Sequence, residues 1–73
     1  MKILVIKEFN GVEAVAAEFT NSEDAYAYIR AQVRAALRVG WSRDTESGWG
    51  GLEHPRHGHQ DWRRCEPWFW HEE

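Results

Sequence analysis

His54, His57, His59, Cys65 and His71 are the residues of this chain whose types are best suited to chemistry. Imidazole and thiolate are zinc ligands, and a domain with a thin core gains from a structural metal. The spacing fits no standard finger, because the chain has one cysteine and no paired CxxC. Three of the histidines crowd around Pro55 and Gly58 in a loop-like stretch, where exposed histidines are common. A small zinc-binding module built on this cluster is therefore the alternative reading, and the preferred one assigns neither metal nor cofactor. Cys65 would act as a nucleophile only beside a positioned base and an orienting group. Arg63 and Arg64 would lower its pKa, but the sequence fixes no such geometry. The acidic pairs Glu72-Glu73 and Asp44/Glu46 lack a pocket to drive their pKa values apart, so two-carboxylate hydrolysis is not indicated. Gly48-Trp49-Gly50-Gly51 does not follow a strand and open a helix, as a phosphate-cradling loop must. The expectation is a protein without catalytic activity.

Five tryptophans remain, and all lie in the last 33 of 73 residues: Trp41, Trp49, Trp62, Trp68 and Trp70. Beyond Trp41 the only aliphatic is Leu52, whereas Ile3 to Ile6, Val12, Val15, Ile29, Val33, Leu37 and Val39 precede it. Large rings either complete a core or anchor a partner. Trp41 and Trp62, with one of the last group, are expected to cover the core. Trp49 in its glycine loop and Trp68 and Trp70 on one face of an extended segment are expected to point outward. Together with Glu72 and Glu73 as an acidic rim, they form the candidate partner-binding set.

Charge narrows the partner. Residues 1–40 hold five basic and five acidic side chains, while residues 41–73 hold four and seven, so the net charge of −3 sits in the second half. Nucleic-acid binding needs a cationic surface, and a basic protein surface suits this balance better. A lone cysteine allows no internal disulfide and fits a reducing compartment. The apolar run Met1 to Ile6 is too short for a signal or a membrane span, so a soluble cytoplasmic protein is expected.

The elements that must position these groups are legible mainly in the first half. Residues 2–9 and 12–19 read as strands around Asn10-Gly11, a strong two-residue hairpin signal because both turn positions need positive φ. A regular hairpin pairs Phe9 with Val12, Lys7 with Ala14, Ile6 with Val15 and Val5 with Ala16. It places Leu4, Ile6, Val15, Ala17 and Phe19 on one face. The opposite face carries Ile3, Val5, Phe9, Val12, Ala14 and Ala16, so both sides are apolar and call for cover or a partner. Glu8 opposite Glu13 is a like-charge pair. Thr20-Asn21-Ser22-Glu23 fits a capping box with Thr20 as N-cap. An amphipathic helix follows to Val39, with Tyr26, Ile29, Val33 and Leu37 on its apolar face and Gly40 as its stop. Arg30, Arg34 and Arg38 recur every four residues and read as a solvated face. Residues 42–60 read as loop-rich, with short strands expected at Asp61 to Cys65 and Trp68 to His71. The fold class is α+β in one domain over 1–73: an N-terminal antiparallel hairpin, one helix packed on the sheet and one or two short C-terminal strands (β-β-α-β-β).

This short, cysteine-poor, acidic β-β-α-β layout over residues 2–40 resembles small anti-CRISPR and other anti-defence proteins encoded by phages and mobile elements. The resemblance carries no residue roles. It implies an inhibitor that occupies a surface of a bacterial CRISPR or other defence complex in the host cytoplasm. The functional expectation is a non-enzymatic, protein-binding protein, with homodimerisation through an exposed sheet face open to so small a core.

Overall fold

The computed structural model describes residues 2–43 and 51–66. Its first unit is the hairpin of β1 (Ile3–Phe9) and β2 (Val12–Phe19). Asn10 and Gly11 take φ values of 51° and 89° at the turn, the two positive angles a type I′ turn requires. Pairing runs as expected from Phe9↔Val12 to Ile6↔Val15, including Glu8↔Glu13, and then shifts so that Val5 faces Ala17. Ala16 is the extra residue of a β-bulge. A single inserted residue reverses every later side chain of a strand. Ala17 and Phe19 therefore join Ile3 and Val5 in the core instead of lying with Leu4 and Ile6.

The helix α1 (Ser22–Arg38) packs on this Ile3/Val5 face, burying Ala25, Ile29, Val33 and Ala36. Its N-cap is Asn21, one residue later than Thr20. Asn21 Oδ1 accepts the Asp24 amide at 2.8 Å, and Asn21 Nδ2 donates to Asp24 Oδ2 at 3.0 Å. Asparagine outranks threonine at this position, and Asp24 answers it from N3. At the other end Gly40 has φ 104°, and the Trp41 amide reaches back to the Ala36 carbonyl at 3.1 Å. That is the Schellman closure, with Trp41 as its apolar partner beyond the glycine.

The second half contributes three described strands: β3 (Ser42–Arg43), β4 (Gly51–His54) and β5 (Gly58–Cys65). Two of them, and the start of β5, fall within the stretch that read as loop. The strand order is β2-β1-β5-β4-β3, and every pairing is antiparallel. α1 thus carries the chain from one edge of the sheet to the other, and β5 returns to lie beside β1 at the centre. Alternation in β5 turns Gln60, Trp62 and Arg64 toward the helix, while His59, Asp61, Arg63 and Cys65 face away. Trp62 and Leu52 complete the core that Ile3 and Val5 begin, at 5% and 0% exposure. On the opposite face Leu4 and Ile6 are also buried, and no described element crosses over them.

Two turns at one end of the sheet are tied together by Asn10. Its Nδ2 donates to the His57 carbonyl at 3.0 Å, its Oδ1 accepts the His59 amide at 2.8 Å, and its own amide donates to the His59 carbonyl at 2.9 Å. The residue that makes the first turn thereby organises the β4–β5 turn, 47 positions away in the chain.

Candidate functional site

β2, with eight residues, is an outer strand of the sheet, at the opposite side from β3. One side of β2 pairs with β1, and the other faces no described strand. Val12 is 71% exposed and Val15 37%. An open edge is usually protected by lysine, proline, an inward charge or a bulge. β2 contains no lysine, proline or glycine, so the bulge at Ala16 is its main protection. Its two carboxylates are drawn inward along the sheet: Glu13 pairs with Arg63 of β5, and Glu18 Oε1 lies 3.4 Å from Lys2 Nζ. Such half-exposed pairs add little stability, but they hold the charges away from the open edge. The segment Val12 to Val15 is left as a regular template on which Val12, Ala14 and Val15 are exposed.

A second surface lies along the helix. α1 runs for 17 residues, and Arg43 of β3 lies opposite its far flank. Along that flank lies a groove of about 330 Å³. Ile29 and Val33 form its buried floor, with Tyr26 and Leu37 half-buried along it. Arg30, Arg34 and Arg43 line its rim. Arg64 approaches the Tyr26 ring at 5.1 Å and donates from Nη1 to Ser22 Oγ at 2.8 Å, fixing the ring at the head of the groove.

At the other end of α1, Trp41 gathers the imidazoles. It lies 5.3 Å from His54 and 6.2 Å from His57, and Phe9 packs on it at 6.3 Å. His54 and His57 are 4.5 Å apart between ring centroids. His54 Nδ1 accepts the Arg56 amide at 3.0 Å, so that nitrogen is already engaged. His59 points to the opposite face of the sheet, paired across from Glu53. Cys65 lies at the far end of β5. His71 lies outside the described residues. Among the described residues no group of three or more His, Cys, Asp or Glu side chains is placed to hold a metal ion.

Burial pushes the Cys65 thiol pKa up, with Arg63 opposing and Glu66 adding to the rise. Desolvation outweighs the nearby guanidinium, contrary to the lowering expected from Arg63 and Arg64; Arg64 is turned to the helix side. Alkylation of Cys65 by iodoacetamide should accordingly be slower at pH 7 than that of free cysteine, rising only as the pH climbs past the ordinary thiol range. Alkylation at pH 7 as fast as free cysteine would contradict this.

Trp41 and Trp62 take the core-covering roles expected of them, half-buried and buried respectively. Trp49, Trp68, Trp70, Glu72 and Glu73, the candidate partner-binding set, lie outside the described residues. Of the arginine series, Arg30 and Arg34 line the groove, while Arg38 sits exposed in the last turn of the helix. Arg43 was not singled out by its sequence context, because only the crossover from β2 to β3 brings it opposite α1. The openness of β2 likewise follows from β5, which occupies the other side of β1. No described helix is long and apolar enough to cross a membrane. No family model, curated protein or solved structure matches this chain.

Proposed function

We propose that this chain is a non-enzymatic protein-binding protein that takes its partner by strand addition on β2. The observation that carries this reading is the eight-residue edge strand without lysine, proline or glycine. Backbone groups on such an edge supply affinity, and alternate side chains supply selectivity. The local +3 groove on the helix and the acidic second half would then tune which protein docks. The finer reading, that the partner belongs to a bacterial CRISPR or other defence complex and is inhibited stoichiometrically, draws its support from the layout resemblance.

Affinity capture from bacterial lysate tests the strand-addition reading. Val12→Lys combined with Ala14→Lys places two charges on exposed positions of the edge, where lysine opposes pairing. The expected result is capture of a defined protein at about one equivalent by the wild type, lost in the double variant, with melting temperatures within a few degrees of each other. Undiminished capture by the variant would remove β2 from the binding surface. Addition of the wild-type chain to the purified captured complex should abolish its activity near one equivalent, and no loss of activity would sink the inhibitor role.

A further inference from the structure

We propose that the groove along α1 receives an acidic peptide segment of a partner protein, with aliphatic or aromatic side chains seated on its floor. The proposal rests on the reading of the chain as a protein binder, but on a different surface from β2. Three features select this occupant. The floor is apolar along about three helical turns, from Tyr26 through Ile29 and Val33 to Leu37. The rim is uniformly cationic, with Arg30, Arg34 and Arg43. Among the described residues no carboxylate pairs with any of the three.

Guanidinium groups beside an apolar trough match a segment that alternates carboxylates with large apolar side chains. Arg30 and Arg34 are one turn apart on the helix, so carboxylates about 6 Å apart would meet both. Three rim charges on a chain of net charge −3 make a poor track for a phosphate backbone, which needs many contacts. Among the described residues the trough offers one ring, Tyr26, where single-stranded nucleic acid uses successive stacking platforms.

Selection from a random-peptide display library on the immobilised full chain tests this. Enriched peptides should combine Asp and Glu with Leu, Ile or Phe, and their affinity should fall steeply as salt rises. Arg30→Glu with Arg34→Glu should weaken the best labelled peptide on the order of tenfold or more, since two attractive contacts become repulsive. Both residues are exposed, so the melting temperature should be retained. Val12→Lys with Ala14→Lys should leave peptide affinity unchanged, which separates failure at the groove from failure at β2. Asp44→Asn with Glu46→Gln should bind the peptide as the wild type does; markedly tighter binding would make those carboxylates the occupant and overturn the proposal. Absence of acidic enrichment, affinity insensitive to the arginine reversals, or tighter binding of a single-stranded oligonucleotide would each overturn it. So would self-association that the arginine reversals abolish, because the occupant would then be a second copy.

Discussion

Gly58→Ala is expected to destabilise the domain by about 3–4 kcal/mol, from two separate causes. Gly58 has φ 101°, a left-handed value that costs an L-residue about 1–2 kcal/mol. An added Cβ would also overlap the Asn10 carboxamide, lying 2.8 Å from both its Cγ and its Nδ2. That carboxamide bonds the His57 carbonyl and the His59 amide, so expelling it forfeits two hydrogen bonds at about 1 kcal/mol each. A cycle with Asn10→Gly separates the causes, because glycine keeps the positive φ of the turn while removing the obstruction. In that background Gly58→Ala should cost only the conformational part, giving a coupling energy of about 2 kcal/mol by urea denaturation. An equal cost in both backgrounds would show that Asn10 does not hold the two turns together.

The N-terminal hairpin and the helix were legible because their signals are local. Asn10-Gly11 dictates its turn through backbone angles, and Gly40 its stop in the same way. The bulge escaped because Ala14, Ala16 and Ala17 are alike in size and polarity and cannot report which face they occupy. One clue was present: Glu13 and Glu18 are five positions apart, an odd spacing that a regular strand would split between faces. The extra residue returns both to the side carrying Arg63 and Lys2.

β5 was less legible because its partners are distant in sequence. Of its eight residues, Gly58–Cys65, only Trp62 is a large apolar side chain, so its face pattern is carried by Gln60, Trp62 and Arg64. A central strand of this composition is stable only because β1 supplies the aliphatic neighbours. The same distance hid both candidate surfaces. The arginine spacing on α1 was visible, but the groove is completed by Arg43, which only the crossover to β3 brings opposite the helix. The edge character of β2 exists because β5 takes the far side of β1.

Trp62→Ala should be the most damaging single substitution, costing about 4 kcal/mol or more and leaving little folded population. The ring is 5% exposed, meets Tyr28 edge-on at 6.2 Å and lies 5.1 Å beneath Lys7 Nζ. Truncation of a buried indole alone costs about 3–5 kcal/mol. It would also strand Gln60 Oε1, a buried acceptor that now takes the Trp62 Nε1 proton at 2.6 Å, and an unsatisfied buried acceptor costs about 1–3 kcal/mol. The two contributions can be told apart without unfolding the protein. Trp62→Phe keeps most of the ring and removes the donor, so it should cost about 1–3 kcal/mol, largely through Gln60. Adding Gln60→Met removes the acceptor as well and should recover part of that loss, because an apolar pair leaves nothing unsatisfied. Urea denaturation of the wild type, Trp62→Phe, Gln60→Met and the double variant gives the coupling directly. If the double variant is no more stable than Trp62→Phe, the hydrogen bond contributes nothing and Trp62 acts through its volume alone. In either case the indole ring packs between the sheet and Tyr28 of α1, so its loss would be felt by the helix as well as by β5.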